Sequence, residues 1–310
     1  GSHYPELAEH VAKELGVKIS KSGKQSFANG EVKYQLDESV RGADVFIFQA
    51  HNESVAEAII EQAVLIDAAK RASAAHITAV CPFFGYARQD RKSKGREPIT
   101  AKLVVDILAT AGANRIVSID LHSGQIQGFF NGPFDHLIAL PAIANHIKKK
   151  FNMEDCVLVS PDAGRVKLTE RYASRLGTDI AIVHKRRVKN NQAEAVDIIG
   201  DIVGKNCIIN DDMIDTAGTI CVAAELLKKK GAKSVSVVAT HGLFSDPAME
   251  RIGKSQIDYL AVTDTLPLPK NLPKSPEIEV ISVVNLLAKS IKAIFEDGSV
   301  SAVFDGENQT

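Results

Sequence analysis

Short runs dense in valine and isoleucine recur along this chain, and the stretches between them carry apolar residues three and four positions apart. The first pattern suits strands covered on both faces, and the second suits helices with one buried face. The strand-like runs are Val45–Gln49, Ile77–Cys81, Ile116–Ile119, Val157–Ser160, Ile180–His184, Asn206–Asn210, Val235–Thr240 and Ile257–Val262, with a weaker one at Ile278–Ser282. Helical spacing marks Ser54–Ala72, Ala101–Ala111, Ala142–Lys150, Val166–Leu176 and Ile220–Lys230. This alternation predicts an α/β fold with a largely parallel sheet in each half. Ligands in such folds gather at the carboxyl ends of strands. A chain of 310 residues is long for one core, so two domains are expected, 1–141 and 142–310, with a seam near Leu140-Pro141. The four prolines between Pro267 and Pro276 read as a rigid connection rather than a domain.

Apolar residues make up 45% of the chain and charged ones 24%, the balance of a soluble globular protein. A net charge of −1 predicts no general attraction to nucleic acid or to an anionic membrane. No apolar run approaches the roughly 20 residues needed to span a bilayer. Gly1-Ser2-His3 reads as the remnant of a cleaved expression tag, and no secretory signal is visible. Cys81, Cys156, Cys207 and Cys221 are scattered without a C-x-x-C pair. They are expected to be free thiols, mostly buried, in a reducing cytoplasm.

The motif richest in chemistry is Ile209-Asn210-Asp211-Asp212-Met213-Ile214-Asp215-Thr216-Ala217-Gly218-Thr219. It reads as a strand end, a tight turn and the start of a helix. Backbone N–H groups and the positive end of the helix dipole suit a phosphate there. Thr216 and Thr219 add hydroxyl donors, Gly218 allows close approach, and Asp211 and Asp212 can accept from sugar hydroxyls. The segment describes a sugar phosphate, and read alone it also fits an N-capped surface turn.

Four other motifs follow strands. Pro82-Phe83-Phe84-Gly85-Tyr86-Ala87-Arg88-Gln89-Asp90-Arg91-Lys92 sets dense basic charge behind aromatics, and the guanidinium of Arg88 matches phosphate oxygens in bidentate fashion. Ser118-Ile119-Asp120-Leu121-His122-Ser123 brings a carboxylate and an imidazole close enough to serve a metal, or simply each other. In Val159-Ser160-Pro161-Asp162-Ala163-Gly164-Arg165, Asp162 is placed to hold a metal or its water. Val183-His184-Lys185-Arg186-Arg187 leads into the polar stretch from Val188 to Ala195, which reads either as a solvated face or as a lid carrying cations to a reacting phosphoryl group. No Walker-type P-loop and no G-x-G-x-x-G fingerprint is present.

The Asp211–Thr219 loop resembles that of type I phosphoribosyltransferases and of ribose-phosphate pyrophosphokinases. Taken together and in order, the five motifs resemble the second family alone, from about Tyr4 to Phe304. The nearest likeness is to its phosphate-activated, ADP-inhibited class. The resemblance implies two similar phosphoribosyltransferase-type domains, with the tail after about residue 295 packing back on the first. It implies ATP and ribose 5-phosphate as substrates, Mg²⁺ as cofactor, inorganic phosphate and ADP as effectors, and a homo-oligomer, usually a hexamer, in the cytoplasm. Residue by residue, Phe27, Asn29 and Glu31 would contact the adenine of ATP on a neighbouring subunit. Arg88, Gln89 and His122 would hold ATP, and His122, Asp162 and Asp120 would serve the metal. Lys185 and Arg187 match the catalytic basic pair. Asp211, Asp212, Asp215, Thr216, Ala217, Gly218 and Thr219 match the ribose 5-phosphate site. Ser39, Arg41, Lys92, Lys94, Arg96, Ser299 and Ser301 resemble the regulatory phosphate or ADP site. Three departures stand out: the family's first strand is expected to be missing ahead of Tyr4, Arg165 replaces a glycine, and Asn210 replaces an apolar residue.

Overall fold

The structure is a computed structural model that describes residues 1–186 and 195–304. Contacts divide the chain into two units, Gly1–Ala139 with Val283–Thr310, and Leu140–Ser282.

The first unit opens with α1 (Pro5–Leu15), which has proline in its first turn and Gly16 at its end with φ of 70°. A hairpin follows, β1 (Ser22–Ser26) paired antiparallel with β2 (Val32–Leu36). Gly30, at φ 89°, lets its loop close. Next come β3 (Asp44–Phe48), α2 (Val55–Arg71), β4 (His76–Cys81), α3 (Thr100–Ala111), β5 (Arg115–Ile119) and β6 (Phe134–Leu137). These four strands form one parallel sheet in the order β3-β4-β5-β6. Its core holds Ile66, Leu108, Ile116 and Ile126, all fully buried.

The second unit contains α4 (Leu140–Lys150), β7 (Cys156–Ser160), α5 (Val166–Leu176), β8 (Asp179–Arg186), β9 (Ala195–Ile199) and β10 (Asn206–Ile214). It continues through α6 (Gly218–Lys229), β11 (Ser234–Gly242), α7 (Ala248–Lys254), β12 (Tyr259–Thr263) and β13 (Glu277–Ile281). Seven strands lie in the order β13-β12-β11-β10-β7-β8-β9, and of these pairings only β8 with β9 is antiparallel. Val157, Val159, Ile209, Leu227 and Val237 fill the core without exposure. The chain then returns to the first unit as α8 (Val284–Phe295), which packs on α1.

The expected α/β fold with mostly parallel sheets is what the chain adopts. Most strands shift by one to three residues from their expected extents, and β10 departs furthest. β10 does not stop at Asn210 but continues through Asp211 and Asp212 to Ile214. Its pairing with β11 carries on, Asp211 opposite Ala239 and Ile214 opposite Gly242, so the paired carboxylates sit within a strand. All four cysteines are free, three of them buried. No helix among the described residues is long and apolar enough to cross a membrane.

Candidate active site

Parallel strands place the loops at their carboxyl ends along one edge of each sheet. In the second unit, β7 and β10 are neighbours, so the Asp162 turn and the Asp215–Thr219 turn share that edge. Asp162 adopts an extended backbone, and its Oδ1 accepts from the N–H groups of Gly164 at 2.8 Å and Arg165 at 3.1 Å. Ser160 Oγ donates to the Asp162 carbonyl at 2.7 Å. The turn is thus tied at both ends before α5 begins.

On β10, Asp212 N–H donates to Asp211 Oδ1 at 2.9 Å. Arg165 reaches both carboxylates, with Nη2 2.7 Å from Asp212 Oδ1 and Nε 3.3 Å from Asp211 Oδ1. Burial, then the charge on Asp212, pushes the Asp211 carboxyl well above the ordinary range, while the Arg165 guanidinium pulls it down. After Ile214 the chain turns into α6. The left-handed position falls on Ala217, at φ 59°, rather than on Gly218. Ala217 has no side chain to cap the first amides of α6, which suits an anion at that end. Arg251, on α7, donates from Nη1 to the Thr216 carbonyl at 2.9 Å and holds the turn from outside. Lys185 lies one residue from the end of β8, opposite Val196 in register. Arg187 and the stretch that reads as a lid, up to residue 194, lie outside the described residues.

In the first unit, β4 and β5 are neighbours, and the loops bearing Arg88 and His122 leave the same edge. The Arg88 loop is anchored by His51, which accepts the Gly85 N–H at Nδ1, 3.0 Å away. A Cβ added at Gly85 would lie 2.5 Å from Val55 Cγ1 and 2.9 Å from His51 Cβ, so only glycine allows this approach. Gln89 is fixed by Thr100, whose hydroxyl donates to Oε1 at 2.5 Å. Arg88 itself is exposed. The Asp120 carboxylate accepts from Ala139 N–H at 3.3 Å, and its backbone turns left-handed at φ 38°. His136 Nε2 accepts the Leu121 N–H at 2.8 Å and so steadies the residue before His122, which is half-buried.

The other expected residues of this unit are spread over its surface. Phe27, Asn29 and Glu31 occupy the exposed hairpin loop, where Asn29 Oδ1 accepts the Glu31 N–H at 3.2 Å. An open groove beside it is lined by Phe27, Val32, Ile60 and Val64. Ser39, Arg41, Lys92, Lys94 and Arg96 are exposed, and the loop of the last three closes on Glu97 through the N–H groups of Ser93 and Lys94. The hydroxyls of Ser299 and Ser301 lie 3.0 Å apart.

Sequence reasoning passed over His51, His136 and Arg251. Each acts on backbone rather than on a partner of recognisable spacing, so no motif announces it. Among the described residues no group of three His, Cys, Asp or Glu gathers to hold an ion unaided. The Asp162 carboxylate, held by two backbone N–H groups through Oδ1, is the oxygen donor type that a hard cation takes together with waters and substrate phosphates.

A parallel sheet and a second, mostly parallel one, whose carboxylate-bearing strand runs through a tight turn into an uncapped helix start, define a phosphoribosyltransferase-type α/β protein. Residues 1–112 match the N-terminal domain of ribose phosphate pyrophosphokinase, and residues 187–305 match the phosphoribosyl synthetase-associated domain. The chain is 50% identical over 310 residues to the ribose-phosphate pyrophosphokinase of Corynebacterium glutamicum, covering 99% of this chain and 95% of that one. It is also 50% identical to the Bifidobacterium longum protein of the same name, covering 98% and 91%. The crystal structure of phosphoribosylpyrophosphate synthetase from Mycobacterium smegmatis superposes with a TM-score of 0.91 at 48% identity, covering 96% of this chain and 98% of that one. The chain belongs to the ribose-phosphate pyrophosphokinase family of enzymes.

Proposed function

We propose that the chain transfers the pyrophosphoryl group of ATP to the anomeric hydroxyl of ribose 5-phosphate, giving 5-phosphoribosyl diphosphate and AMP for nucleotide biosynthesis. The sugar hydroxyl oxygen attacks the β-phosphorus in line. The bond from that phosphorus to the α-phosphate oxygen breaks, AMP leaves with the electron pair, and the hydroxyl proton passes to solvent. The observation that carries this reading is the join of β10 to α6. Asp211 and Asp212 lie ahead of a turn, Asp215 to Thr219, that ends in an uncapped helix start. The carboxylates accept from the sugar hydroxyls, and the turn's amides with the Thr216 and Thr219 hydroxyls take the 5-phosphate.

In the first unit, Arg88 and Gln89 hold the nucleotide phosphates, supported by the anchored loop. Phe27, Asn29 and Glu31 take the adenine of a nucleotide bound to a neighbouring subunit of a homo-oligomer, a hexamer as is usual in the family. In the first unit His122 would serve Mg²⁺, with Asp120 orienting its loop; in the second, Asp162 would do so; the ion would supply neutralisation of charge on the transferred phosphates. Lys185 and Arg187 donate to the oxygens that gain charge in the transition state. No side chain is required as general base, since positioning and electrostatics carry most of phosphoryl transfer. Ser39, Arg41, Lys92, Lys94, Arg96, Ser299 and Ser301 form a regulatory site for inorganic phosphate or ADP, and the enzyme works in the cytoplasm.

Phosphorus NMR of the protein with ATP, ribose 5-phosphate, Mg²⁺ and inorganic phosphate tests the reaction. AMP with a sugar-linked diphosphate, dependent on the sugar phosphate, supports it. ADP as product would mean γ-phosphoryl transfer and a different enzyme.

A further inference from the structure

Two adjacent carboxylates on a half-covered strand repel each other and lose much of their hydration. The Asp211 and Asp212 side chains are only 14% and 6% exposed, yet both must accept hydrogen bonds if they are to read a sugar. Arg165 is built into this problem. Its guanidinium contacts Oδ1 of each carboxylate, and a guanidinium stays charged at any working pH. Its backbone is held as firmly as its head. The Arg165 N–H donates to Asp162 Oδ1 at 3.1 Å, and the Arg165 carbonyl accepts from Thr169 Oγ1, also at 3.1 Å, in the first turn of α5. One residue therefore joins the Asp162 turn, through its main chain, to the carboxylate pair, through its side chain.

Such a residue could block the sugar site or build it. A blocking arginine has to give up its contacts with both carboxylates before substrate enters, and a guanidinium that bridges the pair gives them up at the cost of leaving two buried charges unpaired. Here its backbone is pinned on both sides too. A carboxylate offers about four lone-pair directions, so an arginine and a sugar hydroxyl can share one group. We propose that Arg165 is a positioning residue for the sugar, holding Asp211 and Asp212 as a fixed acceptor pair for the vicinal ribose hydroxyls and so setting the preference for ribose over deoxyribose. The assignment rests on the ribose 5-phosphate reading of the same turn.

The test compares wild type with Arg165→Ala and Arg165→Lys, each checked for a wild-type melting profile. Calorimetric binding of ribose 5-phosphate and of 2-deoxyribose 5-phosphate is measured without nucleotide, alongside steady-state kinetics. Arg165→Ala is expected to weaken ribose 5-phosphate about tenfold or more, as loss of charge-assisted hydrogen bonding does. It is expected to narrow the ribose-to-deoxyribose ratio and to leave the KM for ATP within about twofold. Lysine should restore part of the sugar affinity, because it returns the charge without the fork. Tighter sugar binding by the alanine variant would make Arg165 a plug and overturn the proposal. An unchanged sugar ratio, or an ATP KM that moves as much as the sugar KM, would overturn it as well. Should Arg165→Ala fail to fold, Arg165→Gln replaces it under the same criteria. Wild type that binds the sugar but forms no AMP would sink the reaction reading while leaving the binding comparison decisive. Wild type that binds neither sugar would overturn both.

Discussion

His51 accepts the backbone N–H of Gly85 at Nδ1, 3.0 Å away, and this leaves its proton on Nε2 to donate to Gln62 Oε1 at 2.9 Å. Gln62 in turn donates to the carbonyl of Ile47 at 3.1 Å. A fully buried imidazole thus links β3 and α2 to the loop that carries Arg88. Replacing His51 by Phe leaves Gly85 N–H and Gln62 Oε1 without this partner, at a cost of about 1–3 kcal/mol each in a buried setting. Urea unfolding is expected to show a lower midpoint, and the KM for ATP is expected to rise more than that for ribose 5-phosphate.

The same residue gives acid sensitivity a definite sign. Burial lowers the His51 pKa from 6.5 to about 4, against a smaller opposing effect of Gln62. The unfolded chain then binds this proton more readily, so stability is full above pH 6.5 and falls as pH drops towards 4. Glu61 acts lower on the scale. Burial pushes its carboxyl up, but hydrogen bonds from Lys24, Ser2 and Tyr34 outweigh this and bring it from 4.5 to about 2. Its contribution is present above pH 4.5 and is lost as pH falls towards 2. Thermal melts across this range should show the upper window flattened in His51→Asn and the lower one in Glu61→Gln.

Asn210 is 1% exposed, and neither polar atom of its amide finds a hydrogen-bond partner among the described residues. Leucine has nearly the same shape without the desolvation penalty. Asn210→Leu is expected to raise stability by about 1–2 kcal/mol, seen as a higher urea midpoint at constant m-value.

Arg251 braces the Asp215–Thr219 turn through the Thr216 carbonyl. It is exposed, so its removal should leave the fold intact and loosen the turn. A hydrogen bond from a charged donor is worth roughly 1.5–3 kcal/mol, less at an exposed site. Arg251→Ala is expected to raise the KM for ribose 5-phosphate about threefold to tenfold, with kcat changed much less. An effect confined to the melting temperature would argue against this role.

Lys185 is the last residue but one of β8, which pairs with the strand that leads into the Asp162 turn. Lys185→Ala is expected to lower kcat by about 10³ or more, in the range of a lost transition-state cation, while calorimetric binding of ribose 5-phosphate stays near wild type. Equal losses in both would mean that the lysine supports the ground state instead.

The parallel strands were legible because continuous Val and Ile runs announce burial on both faces, as at Ile77–Cys81 and Val235–Thr240. The hairpin was not, since Ser22–Ser26 is polar and exposed throughout, with no alternation to betray a strand. The end of β10 was misjudged for a related reason. Asp211 and Asp212 look like turn residues, but pairing with β11 outweighs their local preference. The motif residues of the site stood out through residue type at strand ends. Their supports did not, because Arg251 meets Thr216, and His51 meets Gly85, across distances in sequence that carry no periodic signal.

The return of α8 to α1 has a consequence for how the molecule is made. Synthesis runs from the amino end, and the partner of α1 emerges only after residues 140–282 have left the ribosome. The inner segment holds all of its own strands and can close first. The outer segment meanwhile keeps α1, with its buried Leu7 and Val11, waiting for α8, the helix on which it packs. The nascent chain is therefore nested, with its first-made unit among the last to be completed, and a ribosome stalled before Val283 leaves α1 without the helix that covers it.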